Sequence, residues 1–566
     1  MRRGPWSQRA GGSGAKRLGY HFSLQHTHRR LSCLVGKGQP ISVFVVRALR
    51  ATTRTLFAAI VTYACASCAG HSAPSDDELV VALGANPTDL DPRFAPDAYS
   101  DRISRLIFST LLAREGTGRL VGHLAAAVDQ PDPQTYVVTV RDDVVFHDGS
   151  PLTALDVKAT YEAIRDPRLG SVKRLFLEPV ESIELADDRT VIFHLKRPHA
   201  PFIQVLASIG VAPANALRRH GDDFRNHLIG SGPFRFVEQA VDEHVVLQRN
   251  DEWFGGRAGI KTIRFKIVPD ATVRILEVLH GSTDLVQNDL PSHVVERLER
   301  EDHLQLSRGE SSMVKYLAFN LQSKVLSDSR VRQAIAHAID REPIIRHKLR
   351  GLASPARSFL HPESWAYEAQ SRAYDHDLGR AKDLLEAAGY PQPEDGSHRF
   401  KLIYRTSMDQ TSIAVATILK RQLDLVGIDM EIRTNEWGVF FADIKQGNFD
   451  LYTLTAVGVN DPDWYSFVFH SASMPPNGAN RPRYSNPRVD RLLDRAKATN
   501  SQDERAELYR EVQRITSEAL PLLPLWYQHN VAVMAKRVQG YEVVPDGDFT
   551  PLVHTTKSAP PGEGLP

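Results

Sequence analysis

Phe146-His147-Asp148-Gly149-Ser150-Pro151-Leu152-Thr153-Ala154-Leu155-Asp156-Val157 packs a chain reversal and a helix start into one short segment. Asp148-Gly149 marks a tight turn, because glycine accepts the positive φ that such a reversal often needs. Thr153 stands at an N-cap position, and Asp156 three residues on can return a hydrogen bond, as in a capping box. The helix that follows carries Val157, Tyr161 and Ile164 on one face. It must stop at Asp166-Pro167, since the residue before a proline is driven out of the α region. On its own this predicts a capped helix packed by one face.

Outward from that helix, Tyr136-Val137-Val138-Thr139-Val140 and Thr190-Val191-Ile192-Phe193-His194-Leu195 have strand composition. Glu78-Leu79-Val80-Val81-Ala82-Leu83 reads as a buried first strand, and residues 97–112 as a helix burying Ile103, Ile107 and Leu111. In Ile229-Gly230-Ser231-Gly232-Pro233-Phe234-Arg235-Phe236 the glycines permit close backbone approach and the two Phe alternate as strand residues do. It is not a dinucleotide fingerprint, since the third glycine and the following helix are missing. Asp328 or Ser329 caps a helix whose face is Val331, Ile335, Ala338 and Ile339. A strand from Leu402, a helix over 413–426 and a strand over 427–432 follow in β-α-β order, which predicts a mostly parallel sheet.

The opening stretch resembles the signature of the family 5 extracellular solute-binding proteins, close to F-x-D-G-x-P-(F/L)-T-A-x-D-V, with every fixed position met. Gly230-Ser231-Gly232-Pro233-Phe234, Val331-Arg332-Gln333-Ala334-Ile335 and the run ending in Ala388-Gly389-Tyr390 resemble further family motifs in the right order. The resemblance implies an α/β bilobal periplasmic binding protein, type II-like and of cluster C, with an extra subdomain in the first lobe. Its boundaries would be 78–117 and 229–315 for the first lobe, 118–228 for the subdomain, 316–527 for the second lobe and 528–556 for the return. Residues 557–566 would form a disordered tail. Lobe crossings are expected near Ile229, Tyr316 and Tyr527. The implied role is the substrate-binding component of an ABC importer, with permease subunits in the inner membrane as partners and the receptor itself a monomer. An oligopeptide or dipeptide is the leading ligand. An opine, an oligosaccharide or a nickel chelate is the alternative within the fold. A receptor for a membrane signalling partner, or a hydrolase, is the alternative outside it.

Composition bounds these readings. The chain has 566 residues, 42% hydrophobic and 24% charged, an ordinary globular balance. Its formal charge of +1 hides an asymmetry: residues 1–68 hold eleven Lys or Arg and no Asp or Glu, so the 69 basic residues less eleven leave 58 against 68 acidic. A body with that excess of carboxylates is a poor partner for nucleic acid, whose phosphates need clustered cations. The three cysteines are Cys33, Cys65 and Cys68, which excludes disulfide frameworks and cysteine zinc sites from everything after residue 68.

Residues 1–45 match neither a domain nor a targeting signal, and translation is expected to start near Val43, Val45 or Val46. Arg47, Arg50 and Arg54 then precede an apolar run over 56–66, short for the roughly 20 residues that span a bilayer and suited to a signal sequence. Cys65-Ala66-Ser67-Cys68 resembles a lipobox, with Cys65 where leucine is usual; Cys68 is the expected lipidation site. Ordinary secretion and a signal anchor remain open beside it. Residues 69–77 read as a tether.

No nucleophile elbow, H-E-x-x-H, P-loop or cysteine nucleophile is present, so the chain reads as a binder with no catalytic residues, cofactor or metal ligands assigned. In peptide-binding members of the family, an Asp four residues before a proline pairs with the peptide α-amino group. Here Pro462 has Gly458 in that place, and Asp461 or Asp463 is the candidate substitute, because a buried ammonium needs a carboxylate. Both also suit a plain turn and helix cap. Tyr99, Asn320, Trp437, Trp464 and Arg481 complete the candidate set: aromatic walls, a polar side chain at a lobe crossing and a cation for a carboxylate.

Overall fold

Two long strands, Leu304–Phe319 and Leu522–Ala535, run antiparallel and carry the architecture. The computed structural model describes residues 77–558 apart from Thr117 and Asn460. From Leu304 to Glu310 the first long strand pairs with Ala535 back to His529; after a register shift it pairs from Val314 to Ala318 with Tyr527 back to Leu522. Before the shift the ladder continues into Leu285–Gln287, Glu78–Leu83, Thr262–Ile267, His244–Arg249 and Phe234–Ala240. After it the ladder continues into Leu451–Ala456, Phe400–Ser407 and Ile428–Asn435. One eleven-stranded sheet is thus divided into two halves, joined through two strands.

Each half has its own core. Leu79, Ile103, Phe265 and Met534 pack in the first; Leu317, Ile335, Tyr404 and Leu451 pack on one face of the second, with Tyr316, Phe359 and Tyr452 on its other face. A bilobal α/β protein results, as the signature implied. The sheet is mixed, however, and not mostly parallel. Parallel pairs occur where Glu78–Leu83 and Phe400–Ser407 meet their neighbours, and the remaining pairs are antiparallel. Two connecting strands of opposite direction force antiparallel pairing at the centre, whatever the β-α-β units do at the flanks.

The opening stretch builds a separate layer. A four-stranded antiparallel sheet runs in the order Ala125–Asp132, Thr135–Val140, Thr190–Leu195, Val180–Leu185. Helix Ala154–Arg165 covers it with Val157, Tyr161 and Ile164 fully buried. Asp156 Oδ2 accepts from the Thr153 backbone N–H at 2.8 Å, and Gly149 turns at φ +82°. Gly230 and Gly232 are needed for contact: a Cβ there would lie 2.0 and 2.5 Å from the carbonyls of Ile107 and Leu106. Ile229 packs between the core of this layer and that of the first half-sheet.

Two differences from the sequence reading have local causes. The helix expected over 97–112 is Ala98–Ile107, capped by Asp97, because Phe108 turns to extended backbone and Leu112–Glu115 pairs with Arg119–Gly122 as a hairpin. Lys557, placed in a disordered tail, is ordered: Thr556–Lys557 pairs with Val538–Gln539, and Lys557 Nζ meets the buried Asp284 carboxylate at 2.9 Å. The charge of Asp284 demands that partner. Cys68 and the tether before residue 77 lie outside the described residues.

Candidate functional site

Strand direction locates the site before any side chain is considered. Glu78–Leu83 and Leu285–Gln287 run parallel and end, at Gly84 and Asn288, on the side of the first half-sheet that faces the register shift. Phe400–Ser407, Ile428–Asn435 and Leu451–Ala456 also run parallel, and Ala456 lies opposite Val314, so their carboxyl ends face the same junction from the other side. Ligands of α/β sheets sit outside the carboxyl ends of strands. Here two such edges converge on one gap.

The gap is closed at its far side by contacts between the subdomain and the second lobe. The Ala200 N–H donates to the Lys497 carbonyl at 2.8 Å, and Gln204 Nε2 donates to Asp461 Oδ2 at 3.1 Å. Beside them lies a chamber of about 700 Å³ bordered by Tyr136, Ile203 and Gln204 from one lobe and Trp365, Asp461 and Arg505 from the other. That volume falls within the roughly 300–1,000 Å³ typical of small-molecule sites.

The expected site residues divide in this frame. Asp461 borders the chamber; Asp463 N–H donates to its Oδ1 at 2.8 Å and Arg505 Nη2 lies 3.4 Å from the same oxygen. Burial pushes the Asp461 carboxyl above its usual range, opposed by Arg505. Asp463 is engaged within the second lobe, accepting from Ser466 Oγ at 2.6 Å and Tyr509 OH at 3.2 Å, with Lys497 at 3.9 Å. Trp437 follows the carboxyl end of Ile428–Asn435, is 54% exposed and stacks on Phe441 at 5.7 Å. The Arg481 guanidinium lies 5.1 Å from the same Phe441 ring. Tyr99 OH donates to Asp289 Oδ2 at 2.5 Å, an oxygen that also accepts from the Gly84 N–H, where the first strand ends. Burial raises the Tyr99 pKa, and the Asp289 charge adds to it.

Two candidates stand elsewhere. Asn320 follows Phe319, which pairs with Leu451 at the end of the second lobe remote from the junction, and its Nδ2 serves the carbonyls of Gly447 and Phe449. Trp464, half-buried, packs on Phe359 at 4.6 Å against the edge of the second lobe's core. Gly458, in the place of the α-amino anchor, turns at φ +69° with open space around its Cβ position.

Three residues at the gap escaped the sequence reading: Arg114, Gln204 and Arg505. Arg114 Nη2 reaches Gln204 Oε1 at 3.2 Å, and no carboxylate lies within 4.0 Å of Arg114 among the described residues. Burial, then the nearby Arg105 charge, lowers the Arg114 pKa. They sit on a hairpin, a short helix and a long helix with no local pattern in common, so spacing carried no signal. Among the described residues, no helix is long and apolar enough to cross a membrane, and no group of three or more His, Cys, Asp or Glu is placed to hold a metal ion.

Comparison with known proteins agrees with this geometry. The family described as bacterial extracellular solute-binding proteins, family 5 middle, matches residues 119–476. Glutathione-binding protein GsiB of Pectobacterium atrosepticum is 28% identical over 486 residues, covering 84% of this chain and 93% of the relative. Among solved structures, DppA of Helicobacter pylori in complex with the peptide STSA is 26% identical with a TM-score of 0.69, covering 85% of this chain and 98% of that one. NikZ of Campylobacter jejuni in complex with Ni(L-His) is 25% identical with a TM-score of 0.72, covering 85% and 100%.

Proposed function

The chain belongs to family 5 of the bacterial extracellular solute-binding proteins, and from that premise we propose that it is the substrate-binding component of an ABC importer, which captures a peptide between its lobes and delivers it to the membrane permease. The observation that carries this reading is the gap on which the strand ends of both lobes converge. Binding free energy comes from burying the ligand's surface and satisfying its polar ends, and the long strands let the lobes approach. Closure shifts an existing open–closed equilibrium toward the form that a permease would recognise. Peptide is favoured over other solutes by the ligands named for GsiB and for DppA. A nickel chelate is the second reading, favoured by the likeness to NikZ.

In this reading the protein binds without turnover, is a monomer, works in the periplasm or cell envelope and is held to the membrane by lipid on Cys68. The test is native mass spectrometry of protein purified from its own host, followed by thermal melts with a peptide pool. A retained peptide mass and a raised melting temperature are expected. No shift with any peptide, but one with nickel–histidine or an oligosaccharide, rejects peptide as the ligand.

A further inference from the structure

A second cavity, of about 250 Å³, lies within the second lobe and shares no lining residue with the chamber at the gap. Its walls are the segments around Ala356 and Ala373, the last turns of helix Gln502–Ala519 and the start of strand Leu522–Ala535. Arg341, Arg357 and Arg372 border it, and among the described residues none of the three has a carboxylate within ion-pair distance, whereas Arg510 and Arg514 of the bounding helix hold Glu507 and Glu368. Arg341 Nη1 donates to the Ala356 carbonyl at 3.0 Å and Nη2 to the Tyr374 carbonyl at 3.1 Å, so its guanidinium ties two walls together. Burial pushes the Arg341 pKa down to about 10, which leaves it a cation at neutral pH. The half-buried Arg372 guanidinium lies 5.4 Å from the Tyr374 ring. Glu342 and Asp375 also border the cavity, both exposed, so three cations against two carboxylates leave one positive charge. Ser371 Oγ is buried there without a partner, while Ser358 Oγ on the same walls lies 3.0 Å from Tyr465 OH and donates to Gln513 Oε1 at 2.8 Å. Native proteins hold few such unpaired buried groups, because each is destabilising.

We propose that this cavity is a second ligand site, separate from the gap, which takes a small organic monoanion: a carboxylate on a compact apolar body. The planar fork of a guanidinium matches a carboxylate, and a charge-assisted bond is about twice as strong as a neutral one. The Ser371 hydroxyl can donate to the same group. Phe359, Phe469, Leu520 and Leu523, all buried, supply an apolar wall for the body. A bare inorganic anion would answer the arginines and leave that wall without a partner. A neutral apolar molecule would fill the wall and leave the cations and Ser371 unanswered. One excess positive charge matches a single carboxylate. The volume, below the roughly 300–1,000 Å³ of drug-sized sites, calls for a molecule smaller than a peptide of several residues. The site goes beyond the importer reading and does not rest on it, since no residue that borders the gap chamber takes part.

Calorimetry on the full chain tests it. Titrants are benzoate and hexanoate, their neutral amides benzamide and hexanamide, and inorganic phosphate, each with and without the peptide pool. At least one of the two acids should bind one-to-one, at least tenfold tighter than its own amide and than phosphate, with an affinity that the peptide pool leaves unchanged. Arg372→Gln should weaken that binding at least fivefold and leave the response to the peptide pool as in the unaltered chain. Equal affinity for acid and amide overturns the proposal, as does phosphate binding as tightly as the acids. Displacement of the acid by the peptide pool places it in the gap and also overturns the proposal. So does the failure of both acids to bind. The acid–amide comparison and the competition use the unaltered chain and decide even where Arg372→Gln fails to fold.

Discussion

The two lobes meet twice, and the meetings are built of different matter. At the hinge, Leu304–Phe319 and Leu522–Ala535 are joined by backbone ladder bonds, with fully buried Trp526 in the second lobe's core just past the register shift. At the mouth, one backbone bond from Ala200 to Lys497 and the side-chain bond from Gln204 to Asp461 hold the subdomain to the second lobe. Backbone ladders and apolar burial are lost only on unfolding, whereas a few polar contacts are near balance with water. A molecule that must open and keep its fold needs this inequality. The hinge stores stability and the mouth stores choice.

The largest effect should come from the hinge. Trp526→Ala empties a fully buried site and should cost about 3–5 kcal/mol in urea unfolding, with no gain in opening before the fold is lost. A loss below about 1 kcal/mol would break the contrast. Acid should act at the other end. Burial, then the charges of Lys497 and Arg197, pushes the His199 pKa down to about 4. The ring is therefore neutral in the closed form, and its contribution is present above the ordinary value near 6.5 and lost as pH falls toward 4. The ceiling is about 3 kcal/mol, lowered by the part of the ring that meets solvent. Scattering at pH 7 and pH 4.5 should show the molecule widening, and His199→Asn should remove most of that response. A width independent of pH would contradict it.

Smaller effects sharpen the contrast. Gln204→Ala removes one mouth hydrogen bond, so the closed-to-open ratio of the ligand-free protein should fall about fivefold, near 1 kcal/mol, with the melting temperature almost unchanged. Trp437→Ala should alter stability by less than about 0.5 kcal/mol, because the indole is already 54% exposed, while ligand affinity changes measurably. A large loss of stability would place Trp437 in the core.

Local chemistry was legible in the sequence and long-range pairing was not. The Asp148-Gly149 turn, the Thr153–Asp156 cap and the close approach of Gly230 and Gly232 each follow from residues near one another in the chain, and each is present. Mixed pairing of the large sheet was missed because it depends on the opposite directions of strands far apart in sequence. Asp461 was visible beside Pro462, but its partners Gln204 and Arg505 come from another lobe and another helix. Trp464 and Asn320 carry the chemistry of ligand contacts, and the fold engages the one on Phe359 and the other on two backbone carbonyls. Residue type names what a side chain can do; only the fold decides whether a ligand or the protein receives it.

The most direct test follows the distance across the mouth. The chain after residue 68 has no cysteine, so Leu185→Cys on the subdomain and Arg491→Cys on the second lobe, both exposed positions, can carry spin labels once the three N-terminal cysteines are replaced. Two distance populations are expected without ligand, collapsing to the shorter one when the bound peptide is restored. A single distance, unmoved by any peptide that binds, would contradict it.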